Sequence, residues 1–319
     1  MRVVFYLPPA HDLAALRQLD PDRDWRRMKR GERWVVQSYL RLRQAGHAVE
    51  LDSTPPREGL VVFHNRHKHE LRRALAAGPR PVLVGIRGDR REATIADFEI
   101  LQNGRWADGR RRFFIPYWPQ PGLLPRDPAR GDRLRCLAYK GFDANLKREF
   151  RARAWQEFLT ERGVAWRLDS MDYDESERGE VRPDWADYRE VDAILAVRDD
   201  DGRGHTSKPA TKLYNAWLAG VPALLGPDHA YRELRRSPLD FLEVLSTEQA
   251  AAAVIRLQEE RGLYLAMVQH GRRRGAEFGV EGITRRWSEL LYRTIPERVG
   301  RWPARLERRV PLALLSPWR

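Results

Sequence analysis

The chain has 319 residues, 42% of them hydrophobic and 10% aromatic, a globular composition long enough for roughly two domains. Its net charge of +13 favours anionic partners such as nucleotides, phospholipid surfaces or nucleic acid. A single cysteine, Cys136, excludes an internal disulfide and fits a reducing cytoplasm. No run approaches 18 apolar residues, and Val3–Leu7 is too short for a signal sequence, so neither a spanning helix nor a targeting segment is expected.

Short apolar strands alternate with helices in the first part of the chain, which is the pattern of βαβ units and a parallel sheet. Continuous apolar runs indicate strands that are buried on both faces. The predicted strands are Met1–Leu7, His47–Leu51, Gly59–Phe63, Pro81–Ile86 and Ile95–Gln102, and the predicted helices are Trp34–Ala45, which Gly46 ends, and Lys68–Ala77.

A proline-rich segment then interrupts this pattern. Ile115–Arg133 contains five prolines and two glycines in 19 residues, which excludes a regular helix or strand. A second series of alternating elements follows. Its predicted strands are Leu134–Tyr139, Ala165–Leu168, Asp192–Val197, Pro222–Leu225 and Phe241–Val244, and its predicted helices are Asn145–Arg162, Ser207–Gly220 and Thr247–Arg261.

The two series predict an α/β protein with two Rossmann-like domains and an interdomain cleft. We predict an N-terminal domain at 1–118, a linker at 119–132, a C-terminal domain at 133–284 and a basic tail or helix at 285–319. Ligands bind at the carboxyl ends of the strands in such sheets, so these ends are where the site residues are expected.

The tail contains nine arginines and three glutamates, together with Trp287, Trp302 and Trp318. Arginines with aromatic residues and leucines suit an interfacial segment on an anionic membrane. A terminal helix that packs back across the domains accounts for the same residues, and both alternatives stay open.

The segment Ser207–Gly226 has the sequence S-K-P-A-T-K-L-Y-N-A-W-L-A-G-V-P-A-L-L-G. It places Lys208 and Lys212 at a predicted helix N-terminus, where free backbone N–H groups and the macrodipole already favour an anion. Only six of the 58 basic residues are Lys and the others are Arg. Two lysines within five positions therefore indicate that this segment needs lysine in particular. The segment therefore predicts a phosphate or diphosphate site, with an ordinary solvated helix start as the alternative.

The same segment resembles the donor-binding region of GT-B glycosyltransferases, enzymes with two Rossmann domains that hold a nucleotide sugar in the C-terminal half. Lys212–Gly226 is similar to a segment of α-1,3-fucosyltransferases and to the Glu-Ala-x-Ala-x-Gly-x-Pro segment of the large retaining GT-B family. Ser207 and Asn215 stand where the retaining family has glutamates, and Thr211 stands where the fucosyltransferases have one. The resemblance implies a donor-binding C-terminal domain and an acceptor-binding N-terminal domain.

Cations at a strand end and at a helix start can neutralise a diphosphate leaving group, whose charge develops as the glycosidic bond breaks. Such a site requires no metal, although hard oxygen ligands at Asp199–Asp201 leave a metal site as an alternative. An ion pair with these aspartates is the alternative for Arg198. The predicted diphosphate-binding residues are Arg198, Lys208, Thr211, Lys212 and Gly141, with Lys140 as a neighbour, and the predicted nucleoside-binding residues are Tyr214, Asn215 and Asn145.

An acceptor hydroxyl needs a base if the reaction inverts, and polar residues that follow the N-terminal strands are candidates. The predicted catalytic residues are His11, Asp12, His64 and Asp89, for each of which a polar loop residue is the simpler interpretation. The histidines at 64, 67 and 69 have a spacing that fits zinc poorly, so no metal site is predicted.

These features predict a metal-independent hexosyl- or deoxyhexosyltransferase that moves a sugar from a nucleotide-diphosphate sugar to a surface glycan or lipid-linked acceptor. We expect no cofactor besides this co-substrate, no nucleic-acid partner, and a cytoplasmic location that is peripheral on the inner membrane if the tail binds lipid. The alternatives are a non-catalytic nucleotide- or polyanion-binding protein and a GT-B-like nucleotide-sugar epimerase or hydrolase.

Overall fold

A computed structural model describes residues 1–29, 31–75, 80–88, 95–172, 184–199, 202 and 204–300. By its contacts the chain divides into two compact units. The first contains Met1–Pro121, Ser207–Pro209 and the chain from Val280 onward, and the second contains Gly122–Thr206 and Ala210–Gly279. The short segment Ser207–Pro209 therefore groups with the first unit, whereas the sequence-based boundaries place it in the C-terminal domain.

The described residues form two sets of elements, which we number in chain order. The strands are β1 (Val3–Tyr6), β2 (Glu50–Asp52), β3 (Leu60–His64), β4 (Val82–Ile86), β5 (Phe98–Leu101), β6 (Arg112–Phe114), β7 (Cys136–Phe142), β8 (Ala165–Met171), β9 (Ala193–Ala196), β10 (Ala223–Leu225) and β11 (Leu242–Glu243). The α-helices are α1 (Leu13–Arg17), α2 (Arg33–Gln44), α3 (Lys68–Ala74), α4 (Arg153–Glu161), α5 (Thr211–Ala219), α6 (His229–Leu234), α7 (Thr247–Glu259), α8 (Arg261–Gly275), α9 (Val280–Glu289) and α10 (Ile295–Gly300).

The first unit is built on a six-stranded parallel sheet in the order β2-β1-β3-β4-β5-β6. Every residue of β1, β3 and β4 is buried, because apolar clusters cover both faces of the sheet. Full burial on two faces is what selects continuous apolar runs instead of alternating ones. The parallel sheet expected for the first of the two predicted Rossmann-like domains is therefore present.

Described residues between Val280 and Gly300 pack against this first sheet. Trp287 is 3% exposed, and its ring centroid lies 6.1 Å from that of Phe5 on β1. Ile283 and Leu291 belong to the same apolar cluster. The interfacial interpretation of the tail is therefore wrong for Trp287, whereas Trp302 and Trp318 lie outside the described residues. None of the helices that the structure describes is both long enough and apolar enough to span a bilayer.

The second unit contains a five-stranded parallel sheet in the order β11-β10-β9-β7-β8. Two parallel sheets with helices confirm the predicted α/β fold with two Rossmann-like domains. The ten predicted strands are found with ends that differ by at most three residues, and β6 was not predicted. Ser246 caps α7 by accepting a hydrogen bond from the N–H of Gln249, as its position before the helix predicts.

Two predicted helices begin at the wrong residue. The helix expected from Asn145 begins at Arg153, because the N–H of Lys147 bonds to the carbonyl of Val197 and the intervening chain forms 3-10 turns. The helix expected from Ser207 begins at Thr211. Pro209 explains this second difference, since a proline disfavours helical backbone at the residue before it.

A buried carboxylate joins the starts of β7 and β9. Asp192 is fully buried, and its two oxygens accept hydrogen bonds from the guanidinium groups of Arg126 and Arg130 at 2.6–2.9 Å. They also accept the backbone N–H groups of Arg135 and Cys136 at 3.0 and 2.9 Å. Burial alone would raise the pKa of the Asp192 carboxyl, but the hydrogen bond from Arg130 and those from Arg135 and Arg126 outweigh burial and lower it.

We predict that Asp192→Ala lowers the free energy of unfolding by about 3–5 kcal/mol, because Arg126 is left buried without its counter-ion. Urea denaturation measures the loss. The matched control is Glu157→Ala, which removes an exposed ion pair with Arg153 and should cost no more than about 1 kcal/mol. A loss for Asp192→Ala as small as that of the control would contradict the structural role of this cluster.

Candidate functional site

The carboxyl ends of β7 and β9 lie near the start of α5 in the second unit. Parallel strands end at the same edge of a sheet, so Gly141 at the end of β7 and Arg198, two residues beyond β9, come to one place. Lys212 is the second residue of α5 and therefore lies in its first turn. The structure brings together these three of the five predicted diphosphate-binding residues.

Lys212 is held against the end of β7 by its ammonium group. Nζ donates a hydrogen bond to the carbonyl of Lys140 at 2.7 Å and lies 5.0 Å from the ring centroid of Tyr139. A Cβ atom added to Gly141, where φ is +156°, would lie 2.5 Å from this Nζ. The missing side chain of Gly141 therefore leaves room for this position of the Lys212 ammonium, and β7 continues through Gly141 to Phe142.

Arg198 is fixed by partners on two other elements. Its guanidinium forms an ion pair with Asp228, the residue before α6, and its Nε donates to Oδ1 of Asn145 at 3.3 Å. The Arg198 side chain is 13% exposed and that of Asp228 is 3% exposed. Burial works to lower the pKa of Arg198, but the interactions with Tyr231 and Asp228 outweigh burial and raise it. Arg198 is therefore a permanent cation, and among the described residues it forms its ion pair with Asp228, a residue outside the run at 199–201 that was its alternative partner.

The charge of Lys212, by comparison, depends on the protonation of its amine near neutral pH. Its side chain is partly buried, and no carboxylate of the described residues forms an ion pair with its amine. Desolvation, followed by the charge of Arg198, lowers the pKa of Lys212 to about 7, although Asp228 opposes the shift. An anion that enters beside Arg198 and Lys212 therefore meets one fixed positive charge and a second that a proton can supply.

The other predicted donor-site residues lie in different surroundings. Lys208 precedes α5 and groups with the first unit, where its carbonyl accepts a hydrogen bond from Nδ2 of Asn103 at 3.1 Å. Lys140 directs its ammonium to Asp169 at 2.5 Å, so it does not join Lys212. Tyr214 is 1% exposed and stacks on Phe278 with ring centroids 5.5 Å apart, and Asn215 is 7% exposed.

Asp199 is described by the structure, whereas Asp200 and Asp201 lie outside the described residues. The carbonyl of Asp199 pairs with Nε2 of His205 at 2.9 Å. Across the described ranges, no group of three or more His, Cys, Asp or Glu side chains is arranged to hold a metal ion.

The first unit places a histidine pair with a buried carboxylate at the carboxyl edge of its sheet. Nδ1 of His11 lies 2.8 Å from Oε1 of Glu32, whose other oxygen accepts the N–H of Lys29 at 2.7 Å. The ring of His67 meets that of His11 edge-on at 5.3 Å. Burial lowers the pKa of His67, and the neighbouring His11 adds to this shift. A carboxylate on Nδ1 orients an imidazole so that Nε2 can accept a proton.

The other predicted catalytic residues have different roles in this unit. Asp12 caps α1, because its Oδ1 accepts the N–H of Ala15 at 3.0 Å. His64 is 2% exposed, stacks on Trp34 with ring centroids 5.6 Å apart, and accepts the N–H of Arg66 on Nδ1 at 3.3 Å. Asp89 lies outside the described residues. Of the three candidates that the structure describes, His11 is therefore the one with the geometry of a base.

Three side chains of these clusters were missed by the sequence analysis. Asp228 follows β10 directly after Gly226-Pro227, so the strand-end rule that selected Arg198 would also have selected it. Glu32 lies 21 residues from His11, and the hydroxyl of Tyr139 donates to the carbonyl of Phe142, three residues further along β7, at 2.6 Å. No local pattern marks these two.

Both units together have the architecture of GT-B glycosyltransferases, so the fold is GT-B. The chain is similar to HepE from Anabaena in complex with UDP and glucose, with a TM-score of 0.56 and 11% identity over 92% of this chain and 99% of that one. It is similar to AviGT4, a glycosyltransferase of avilamycin A biosynthesis, with a TM-score of 0.54 and 15% identity over 93% and 98%. The lipopolysaccharide outer core galactosyltransferase WaaB aligns with a TM-score of 0.52 and 11% identity over 92% and 100%. No family model and no curated protein matches the sequence.

We predict that Lys212 titrates near pH 7, far below the ordinary range of about 10.4 for a lysine. Competitive acetylation across pH 6–10, read by peptide mass spectrometry, measures this because only the neutral amine reacts. Lys212 reactivity should reach its plateau about three pH units before that of an ordinary lysine, for which a free lysine peptide in the same reaction serves as the reference. A midpoint for Lys212 at or above pH 9 would contradict the prediction.

Proposed function

We propose that the protein is a metal-independent glycosyltransferase that moves a hexose or deoxyhexose from a nucleotide-diphosphate sugar to a surface glycan or lipid-linked acceptor. The observation that carries this proposal is the meeting of Arg198, Lys212 and Gly141 at the carboxyl edge of the second sheet. The GT-B fold and the UDP complexes of HepE support it by analogy.

The proposed chemistry needs positive charge where the leaving group develops negative charge. As the bond from the sugar to the diphosphate breaks, the terminal phosphate gains charge, and Arg198 and Lys212 would stabilise it more strongly in the transition state than in the bound donor. Gly141 would let the phosphates approach the backbone of β7. With two cations in this role, a divalent metal is not required, and we propose no resident cofactor.

In this proposal the second unit binds the donor and the first unit binds the acceptor. Thr211, in the first turn of α5, would add its N–H and hydroxyl to the diphosphate, and Asn145 would contact the nucleoside. His11 would take the proton of the acceptor hydroxyl if the reaction inverts, with Glu32 holding the imidazole. We propose a cytoplasmic enzyme without a nucleic-acid partner.

A non-catalytic nucleotide-binding protein is the second candidate, and one observation favours it. Ser207 and Asn215 replace the two glutamates of the retaining GT-B family, so the carboxylates of that family are absent from these positions. Turnover separates the candidates: transfer requires an acceptor, an epimerase or hydrolase consumes donor alone, and a binding protein leaves the donor intact. Chromatography of the nucleotide products measures all three.

We predict that one of UDP, GDP, CDP, ADP and dTDP binds without metal in calorimetric titrations, and that Mg²⁺ changes its affinity little. Lys212→Ala should weaken that binding by about 10- to 100-fold, since a hydrogen bond to a charged group contributes about 1.5–3 kcal/mol. Gly141→Ala should act in the same direction, because its Cβ would displace the ammonium.

The matched control for Gly141→Ala is Gly262→Ala, where an added Cβ meets no atom within 4 Å. Its affinity should equal that of the unaltered protein. Full affinity in Lys212→Ala would contradict the assignment of Lys212 to diphosphate binding. Binding that appears only with Mg²⁺ would instead favour the alternative metal site at Asp199–Asp201.

We also propose that the basic segment 301–319 brings the protein to an anionic membrane surface. The sequence of this segment has five arginines, one glutamate and two tryptophans. Ending the chain at Gly300 should reduce co-sedimentation with vesicles that contain phosphatidylglycerol several-fold and leave binding to neutral phosphatidylcholine vesicles unchanged. Equal co-sedimentation of the long and short chains with anionic vesicles would exclude this role.

A further inference from the structure

The connection between β5 and β6 in the first unit holds an exposed tryptophan. Residues 105–111 are all exposed, and Trp106, at 49%, is more exposed than any other aromatic side chain of the described residues. The Arg105 guanidinium lies over its ring, with Cζ 5.4 Å from the centroid. Tryptophan is ordinarily well buried, and its apolar ring with one polar N–H favours interfaces. An indole that the fold leaves in water therefore indicates a surface that contacts something else.

Hydrogen bonds within this connection hold it in its observed shape. Oδ1 of Asn103 accepts the N–H of Arg105 at 3.0 Å. Oδ1 of Asp108 accepts the N–H groups of residues 110–112 at 2.8–2.9 Å. The connection would have to break several of these bonds to fold inward over Trp106, so the ring is held at the surface.

The charge of the connection is positive and only partly neutralised. Between positions 102 and 114 the sequence has four arginines and one acidic residue, Asp108. Besides its backbone partners, Asp108 forms an ion pair with Arg112 at 3.0 Å. Within the described parts of the chain, neither Arg105 nor Arg110 forms an ion pair with a carboxylate. An anionic surface would therefore meet two guanidinium groups whose charge no described carboxylate offsets.

The helix α10 is attached to the same connection. Nη2 of Arg298 donates a hydrogen bond to the carbonyl of Gly109 at 2.7 Å, and the guanidinium lies over the Phe113 ring with Cζ 5.6 Å from the centroid. Because Gly300 follows two residues later, the basic segment 301–319 leaves the described chain beside this connection. Two parts of the sequence that combine arginine with tryptophan therefore start from one region of the first unit.

We propose that residues 104–111, which we call the Trp106 loop, are a contact surface for an anionic phospholipid bilayer. The Trp106 ring enters the headgroup layer, where an indole is favoured, and Arg105 and Arg110 bind lipid phosphates, which suit the guanidinium fork. This inference goes beyond the proposed transfer reaction. It does not depend on segment 301–319, because the residues of the loop itself carry it.

The first test is co-sedimentation of the full chain with vesicles that contain phosphatidylglycerol. Joint substitution Arg105→Ala and Arg110→Ala should weaken partitioning by about 10- to 25-fold, because each arginine near an anionic surface contributes about fivefold. The matched control is Arg153→Ala with Arg236→Ala, which removes two exposed arginines from the second unit. The control has the same net charge as the test variant and should partition like the unaltered chain.

Substitution of the tryptophan tests the interfacial role of its ring. Trp106→Ala should weaken binding to the same vesicles several-fold, and Trp106→Tyr should restore most of it, because tyrosine also favours the headgroup region. Both variants should unfold at the same urea concentration as the unaltered chain, since the ring is exposed. Vesicle binding that neither the tryptophan nor the arginine substitutions change would overturn the inference.

A fluorescent label locates the contact directly. Ala107→Cys, labelled with nitrobenzoxadiazole, places the probe beside Trp106, and the native Cys136 is buried. On phosphatidylglycerol vesicles the emission of this probe should rise, and lipids that carry a nitroxide should quench it. The matched control is the same label on Ala252→Cys, an exposed position of α7 in the second unit, which should not respond.

The outcomes separate the Trp106 loop from segment 301–319. Full vesicle binding without a response of the label at position 107 would overturn the role of the loop and leave the proposal for segment 301–319 standing. Equal responses at positions 107 and 252 would show non-specific adsorption and would also overturn it. Failure of the full chain to bind anionic vesicles would overturn both membrane proposals and leave the donor site untouched.

Discussion

The carboxylate of Asp192 is the constraint on which the second unit depends. It accepts hydrogen bonds from two arginines of the segment before β7 and from the first backbone amides of β7, while it directly precedes β9. The starts of the two central strands are thereby fixed, with Leu137 opposite Ala193 and Ala138 opposite Ile194. Because strands are stiff and evenly spaced, a fixed start also fixes the far ends, where Gly141 and Arg198 lie. One buried anion at the amino edge therefore sets the positions of the groups at the carboxyl edge.

The charges at the two edges are balanced in different ways. At Asp192, an anion is enclosed by cations and N–H groups, and nothing is left for a ligand to add. At Lys212, two basic side chains of the described part of the chain lie near one carboxylate, that of Asp228, which forms its ion pair with Arg198. The first cluster is complete in itself and suits a structural role, whereas the second reaches full charge balance only with a further anion. This difference is the physical reason to propose the second cluster as the binding site.

The fold was largely predictable because the sheets are parallel and buried on both faces. Strands such as β3 and β4 are short continuous apolar runs that follow Gly59 and Pro81, and the helix between Ser246 and Glu259 is marked by its cap. Long-range contacts decide the points that the sequence left wrong or open. The hydrogen bond from Lys147 to Val197 delays the start of α4, and the packing of Trp287 on Phe5 decides between the two alternatives for that residue. Neither contact leaves a periodic signal.

The site was predictable in its cations but not in their partners. Arg198 and Lys212 follow from strand ends and helix starts, which are local features, whereas Asp228 and Glu32 act through residues 30 and 21 positions away. The departures from the retaining GT-B pattern take on a physical meaning here. Asn215 is a buried amide on α5, and the carboxylate near the cations is supplied instead by Asp228, which binds Arg198. A carboxylate that binds Arg198 orients the guanidinium, and it also offsets part of the positive charge that an anion would meet at this edge of the sheet.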